Sequence, residues 1–258
     1  MTKIITSARD YAKPNSWLAY QAVNMCNPDE GEGWKVPETE PRLFPGRYGA
    51  PIGPILKTSN LYGGAILTNV DIELTTPSLG SFNKPGVVTF ARRIEHPTMK
   101  LNRWGIDVII VPPDLYTKLA LHDGWRAFQF GAPWWDVLVP TAAAILGFKL
   151  QRIDAPVAYH QTHKQRWSNQ DWSVAGLACQ NCLTQMAERS GRYDFPHGGD
   201  LFEWHHAVRR WRDDLTESVS IPVAPPIIQE AVWREATRPD EPKKPRGLLK
   251  RLARSLHL

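Results

Sequence analysis

The sequence predicts an α/β fold with a mostly parallel central sheet, and three observations support this prediction. Strand-like and helix-like segments alternate through the first 150 residues. An apolar run at residues 65–74 ends in polar side chains, as buried strands of such sheets do. Two further helices are predicted between residues 171 and 215, and the second has its apolar residues on one face. A chain of 258 residues is long enough to bury this architecture in one large domain.

The individual elements follow from periodicity and from start and stop residues. Residues 3–8 are β-rich, residues 16–25 have a helical pattern that Ser16 would cap, and residues 27–54 lack periodicity and predict a long loop. Further strands are predicted at residues 65–74, 87–92, 105–113 and 148–159, the last interrupted by Pro156, and extended chain is predicted at 219–226. Further helices are predicted at residues 114–121, 137–146, 171–189 and 200–215, with Pro140 near the start of its helix.

Composition and charge limit the classes of function. The chain is 42% hydrophobic and 22% charged, which is ordinary for a soluble globular protein. The formal charge is +5, but six basic residues and no acid lie between residues 243 and 254, so the rest of the chain is close to neutral. A nearly neutral body disfavours nucleic-acid binding. There is no signal-peptide pattern and no apolar run of about 18 residues, so a cytoplasmic protein is expected.

The tail at residues 238–258 leaves two interpretations open. Leucines interleaved with basic residues after position 248 favour an amphipathic helix on an anionic membrane surface. A disordered, solubilising tail explains the same residues equally well.

Two residue pairs are interpreted as structural. Cys179 and Cys182 have the spacing of half a zinc or redox site, but the three cysteines of the chain offer no second pair, so buried helix positions are the better interpretation. His205 and His206 are adjacent within a predicted helix and are assigned to packing.

The densest cluster of chemically informative residues is the run Phe-Gly-Ala-Pro-Trp-Trp-Asp at residues 130–136, followed by His160, His163 and Trp167. Aromatic faces beside a carboxylate and imidazoles suit a site that holds a polar ring while moving a proton or binding a metal. Asp136 could instead cap the following helix. A functional role is favoured because capping does not need Trp134 and Trp135 in front of it.

A second candidate group lies at the end of the apolar run. Asn69, Asp71 and Glu73 would lie where open α/β sheets bind ligands. Asp71 and Glu73 would share one side of an extended chain and could bind one divalent cation. A solvated strand end accounts for them equally well. In the pair His160 and His163, one histidine is the more plausible ligand and the other a neighbour.

In this order the motifs resemble bacterial glycosyltransferase-like proteins of the GT-A (nucleotide-diphospho-sugar transferase) fold. The similarity extends over about residues 4–172, and residues 130–163 are its most specific part. It implies a single GT-A-like domain over residues 1–237 with a helical C-terminal extension. Within it, residues 1–73 would be a trimmed nucleotide-binding half, residues 74–170 the acceptor half and residues 171–237 the extension, followed by the tail at 238–258.

The resemblance also implies roles for individual residues. Asp136 would remove the proton from an acceptor hydroxyl, and Asp71, Glu73 and His160 would hold a divalent cation, Mn²⁺ or Mg²⁺. Asn69 stands where the fold often has a first aspartate, and Glu73 could compensate for it. The remaining candidates would contact the nucleotide and phosphates (Ser7, Arg9, Asn69, Arg92, Arg93) or the sugars (Trp134, Trp135, His163, Trp167).

The function expected from the resemblance is transfer of a sugar from a nucleotide-diphospho-sugar to a carbohydrate or lipid-linked acceptor, for a surface polysaccharide or glycolipid. Two alternatives remain open at this point. One is a non-catalytic carbohydrate-binding protein on the same fold. The other is a metal-dependent hydrolase that uses Asp71, Asp136, His160 and His163 around one ion.

Overall fold

The computed structural model describes residues 3–6, 22–24, 41–44, 51–69, 72–74, 77–96, 98, 100–161 and 167–221. The strands are β1 (Lys3–Thr6), β2 (Ala22–Asn24), β3 (Ala65–Thr68), β4 (Ile72–Leu74), β5 (Val87–His96), β6 (Lys100–Val111), β7 (Lys149–Ile153), β8 (Ala158–Gln161) and β9 (Thr216–Val219). The helices are α1 (Ile52–Leu61), α2 (Leu115–Leu119), α3 (Trp135–Ile145), α4 (Asn169–Arg189) and α5 (Leu201–Asp214), with 3₁₀ turns at Pro77–Phe82 and Trp125–Ala127.

All nine described strands form one mixed sheet in the order β2-β1-β3-β6-β5-β7-β9, and β8 pairs with both β4 and β5. The pairs β1–β2, β1–β3, β5–β7, β5–β8 and β7–β9 are parallel, whereas β3–β6, β5–β6 and β4–β8 are antiparallel. The α/β class is therefore confirmed, but the sheet is mixed. The short link between β5 and β6 explains this, because a parallel crossover needs a dozen residues or more.

Several element boundaries differ from the sequence prediction. Residues 22–24 were expected to be helical but form β2, because their backbone pairs in parallel with β1. The expected loop at 27–54 ends early, since α1 begins at Ile52 and accommodates Pro54 in its first turn. The expected strand at 65–74 is two strands interrupted after Thr68. The rest of the helix expected at 16–25 and the tail at 238–258 lie outside the described residues.

Helix α3 begins two residues earlier than expected. Pro140 consequently lies in its second turn and lacks the N–H that would bond to the carbonyl of Asp136. Ten of the eleven residues of α3 are buried, so tertiary packing and not helix propensity holds this segment in place. The first turn of α3 is thereby fixed against the sheet.

The two faces of the sheet carry separate cores. The larger core joins one face to the five α-helices and includes Phe90, Ile109, Trp134 and Leu183. The smaller core, around Ile66, Leu79 and Val108, lies on the opposite face under the first 3₁₀ turn. Cys179 and Cys182 are free and buried in the larger core, as expected. Among the described helices, none combines the length and apolarity needed to cross a membrane.

Candidate functional site

A cavity of about 400 Å³ lies where the sheet meets the N-terminal turns of α3, α4 and α5. Its lining falls into two chemical sets. The polar set comes from the sheet and from α3, and consists of Asn69, Arg93, Asn102, Asp107 and Asp136. The aromatic set comes from the helices and the segments before them, and consists of Trp134, Trp135, Trp167, Trp172, Phe202 and His205. A volume of this size is within the range of small-molecule sites.

The loop that leads into α3 has an unusual backbone. Trp134 has φ 75°, the one positive φ of a non-glycine residue in the described part of the chain. This conformation costs about 1–3 kcal/mol and is retained where the surroundings over-determine it. Here the indole Nε1 donates to the carbonyl of Trp172 at 2.8 Å, and the ring packs 4.6 Å from His205. The strained residue Trp134 therefore fixes the position of Asp136, two residues further along the chain.

Close packing of Trp134 requires a glycine on α4. A Cβ at Gly176 would approach the Trp134 ring to 2.8 Å and Leu201 Cδ2 to 2.6 Å. Both neighbours lie at the cavity. Trp134 lines it, and Leu201 is the first residue of α5, whose N-terminal turn borders it.

Replacement of Gly176 by alanine is expected to destabilise the protein by about 1–3 kcal/mol, because overpacking outweighs the gain in helix propensity. The matched control is Gly53→Ala in α1, where the nearest atom to a Cβ is 3.3 Å away. Urea unfolding of both variants measures the difference. Equal free energies of unfolding for the two variants would contradict the close contact between α4 and Trp134.

Asp136 is the second residue of α3 and does not cap the helix. The N-cap position is Trp134, which makes no side-chain capping bond. The Asp136 carboxylate instead accepts a long hydrogen bond of 3.4 Å from the backbone N–H of Ile106 on β6. Burial, together with the neighbouring charge of Asp107, raises the pKa of Asp136 to about 6.

Asp107, in contrast to Asp136, accepts short hydrogen bonds from an arginine and from an amide. Its Oδ2 accepts from Arg93 Nη1 at 2.7 Å and its Oδ1 from Asn69 Nδ2 at 2.6 Å. The antiparallel register of β3 and β6 pairs Thr68 with Val108 and so brings Asn69 opposite Asp107. A buried carboxylate with an arginine partner and an amide donor is held as an ion pair. Burial alone would lower the pKa of Arg93, but Asp107 and Glu95 together raise it above its usual range.

Glu95 extends this network behind the cavity. Its Oε1 accepts from Arg93 Nε at 2.7 Å and from Asn102 Nδ2 at 2.6 Å, and its Oε2 lies 2.7 Å from His160 Nδ1. Burial alone would raise the pKa of Glu95, but hydrogen bonds from Asn102, His160 and Arg93 lower it to about 2. The guanidinium of Arg93 is thus clamped between two carboxylates.

The two cavity carboxylates therefore have different environments. Asp107 is committed to an ion pair, whereas Asp136 has a pKa of about 6 and can gain or lose a proton near neutral pH. A carboxyl group whose environment brings its pKa near neutrality is typical of acid–base sites. The arrangement can remove a proton from a bound hydroxyl or return one.

The aromatic set is more buried than the sequence suggested. Trp134 is 3% exposed and Trp135 is 2% exposed, and Trp135 packs edge-on against Phe130 at 4.4 Å. Their contribution to the cavity is therefore mainly support. Trp167 and Trp172 are partly exposed, and Phe202 is exposed. These three rings offer the accessible apolar surface of the cavity.

The structure brings some of the predicted site residues together and separates others. Asn69, Arg93, Trp134, Trp135, Asp136 and Trp167 all line the cavity. Arg92 is not among the described lining residues, and its Nη2 pairs with Asp213 of α5 at 2.9 Å. His160 is buried behind the cavity against Glu95.

The other predicted site residues fall on undescribed positions. Ser7, Arg9, Asp71 and His163 lie outside the described residues, as does the side chain of Glu73. Among the described residues, no three His, Cys, Asp or Glu side chains are grouped to hold a metal ion.

Sequence reasoning did not assign Asp107, Asn102, Glu95, Trp172, Phe202 or His205 to the site. Asp107 carried a usable signal, since it is an acid inside the apolar run of residues 105–111. His205 was assigned to packing, and it does pack on Trp134, but it also lines the cavity. Burial lowers the pKa of His205 to about 4, with Arg212 contributing, so its imidazole is neutral at pH 7.

Comparison with protein-family models, with curated proteins and with solved structures finds no match to this chain.

Proposed function

We propose that the chain is a glycosyltransferase that moves a sugar from a nucleotide-diphospho-sugar to an acceptor hydroxyl, with Asp136 as the general base. One observation carries the proposal. A carboxylate with a pKa of about 6 lines a cavity that also contains a fixed ion pair and aromatic rings. The donor class rests on the motif order that resembles the GT-A fold.

In the proposed reaction the acceptor hydroxyl attacks the anomeric carbon of the donor sugar. Its proton passes to a carboxylate oxygen of Asp136 as the new carbon–oxygen bond forms. The bond from the anomeric carbon to the diphosphate breaks, and the nucleoside diphosphate leaves with the bonding electrons. Above pH 6 the ionised form of Asp136, which accepts the proton, predominates.

The two lining sets suit a sugar ring. Aromatic faces such as those of Trp167 and Trp172 can pack on the apolar face of a pyranose, while amide and carboxylate groups can bind its hydroxyls. The fixed pair of Arg93 and Asp107 supplies preorganised polar groups, which do not need to reorient when substrate binds.

A divalent cation belongs to the proposal. Of the proposed ligands, His160 has an oriented ring, because its Nδ1 lies 2.7 Å from Glu95 Oε2. Asp71, Glu73 and His160 would hold Mn²⁺ or Mg²⁺, which would stabilise the negative charge of a leaving diphosphate.

Calorimetric titration with UDP, GDP and their sugars, with and without Mn²⁺, tests the donor class. We expect micromolar affinity for one nucleotide, dependence on Mn²⁺, and loss of binding in Asp71→Ala. Asp123→Ala is the control, because Asp123 is 90% exposed. Sugar binding without binding of any nucleotide would replace the proposal with a non-catalytic carbohydrate-binding protein. Stoichiometric metal without nucleotide would replace it with a hydrolase.

A further inference from the structure

We propose that the cavity binds a sugar ring that is uncharged or carries an amino group, and that it rejects sugars with a carboxylate. The inference rests on the proposed function in one respect, namely that the ring belongs to one of the two sugars of that reaction. It follows from the charges of the groups that line the cavity. It also implies that the diphosphate of a donor lies outside this cavity.

Within the described lining, the acidic groups outnumber the basic one. Asp107 and Asp136 face one arginine, Arg93. Arg93 is already engaged, since its Nη1 donates to Asp107 and its Nε donates to Glu95. A ligand carboxylate would therefore compete with two protein carboxylates for one guanidinium. It would also lie near Asp136, which is mostly ionised at pH 7.5.

The helix N-termini around the cavity do not offset the excess of acidic over basic groups in its lining. Asp136 itself occupies the first turn of α3. The N-terminus of α4 is closed by a capping box of Ser168 and Asp171, and that of α5 is capped by Asp200. The partial positive charge of each helix end therefore already has an acidic partner from the protein.

Among the described residues, the other cationic side chains near the site do not line it. Arg212 is buried at 4% exposure and interacts electrostatically with both Asp213 and Asp136. Arg92 and Arg209 also pair with Asp213. His205 does line the cavity, but its low pKa leaves it neutral at pH 7. Within the described lining, the charge that a bound ring contacts directly is thus set by the polar set.

An amino group would meet favourable partners in the same place. An ammonium near Asp136 forms an ion pair in a partly buried site, and neighbouring aromatic faces add cation–π attraction. A neutral hexose loses this contribution but keeps its hydroxyl contacts and its stacking. We therefore expect the affinity order amino sugar, neutral sugar, uronate.

The test is a titration followed by tryptophan fluorescence at pH 7.5 with methyl glycosides of glucosamine, glucose and glucuronic acid, and with the matching galacto series. The uronides should bind at least about tenfold more weakly than the neutral glycosides of the same configuration. The variant Asp136→Asn should reduce the difference in affinity between uronides and neutral glycosides, whereas Asp123→Asn should leave this difference unchanged.

Two outcomes overturn the inference. One is a uronide that binds as tightly as its neutral counterpart, and the other is the absence of saturable binding for every glycoside. Neither depends on the nucleotide titration. Nucleotide binding without this charge preference would leave the transferase proposal standing, and the charge preference without nucleotide binding would leave the cavity assignment standing.

Discussion

Asp136→Asn should reduce sugar transfer by about 10²–10⁴-fold while donor affinity changes little, because the amide cannot accept the acceptor proton. The amide oxygen can still accept from Ile106, so the loop geometry should be retained. In the unmodified protein, kcat/KM should rise with pH through about 6 as Asp136 ionises. Steady-state kinetics from pH 5 to 8, once a donor and an acceptor are identified, measures both effects.

The same substitution should make the protein more stable at neutral pH. Folding raises the pKa of Asp136 from 3.8 to about 6, so the folded chain binds the proton more tightly than the unfolded chain. This contribution to stability is fully present below pH 4 and is lost as pH rises through 6. The loss is about 3 kcal/mol. The stability advantage of the asparagine variant should therefore be greatest above pH 7 and vanish below pH 4.

Asp123→Asn is the matched control, since it makes the same chemical change at a carboxylate that is 90% exposed. It should alter neither transfer nor the pH dependence of urea unfolding. An Asp136→Asn variant that keeps full transfer activity would exclude Asp136 as the base. One that is less stable than the parent at pH 8 would contradict the raised pKa of Asp136.

Arg93→Met is expected to destabilise the protein by about 3–5 kcal/mol. The change keeps the apolar stem but leaves Asp107, which is 5% exposed, and Glu95 without their cation. Breaking a buried ion pair by removing one partner has a cost of this size, because the remaining charge is desolvated and unpaired. Removing Arg93 also removes a charge that lowers the pKa of Asp136, so the pH profile of transfer should move to higher pH.

Arg152→Met is the matched control, because the side chains of Arg152 and Arg93 are almost equally exposed. Arg152 is 22% exposed against 23% for Arg93, but its partner Asp154 is 47% exposed. Loss of such a surface pair has an effect of about 1 kcal/mol or less. Urea unfolding at pH 7.5 compares the two variants. Equal destabilisation would mean that the network around Arg93 contributes no more than a surface salt bridge.

Local patterns were enough to predict much of the second half of the chain. The helices near residues 171–189 and 200–215 were predicted to within two residues. The second carries a clear amphipathic period and the start signal of Asp200 and Glu203, whereas the cap of the first, Ser168, was not predicted. The break of the extended segment at Pro156 is also present. Such features depend on neighbours within one or two turns, which the sequence records directly.

Whether neighbouring strands of the sheet run parallel or antiparallel was harder to predict. The sequence indicated strands at 87–92 and 105–113 with twelve residues between them, a length that permits a crossover. In the structure β5 and β6 extend toward each other until only residues 97–99 separate them. The added strand residues include polar ones such as Arg93, Glu95 and Asn102. Their extended conformation comes from cross-strand pairing, which local propensity does not show.

By itself the sequence determined the α/β class and the loop of residues 130–136 that places Trp134 and Asp136 at one end of a buried helix. Only the tertiary structure decided what these residues meet. Asn69 and Arg93 bind Asp107 from 38 and 14 residues away. That contact depends on the register of β3, β5 and β6. The pKa of Asp136 is raised first by burial and then by the charge of Asp107, and both come from tertiary packing. Charge interactions act over distances in space, and strand pairing determines those distances independently of separation along the chain.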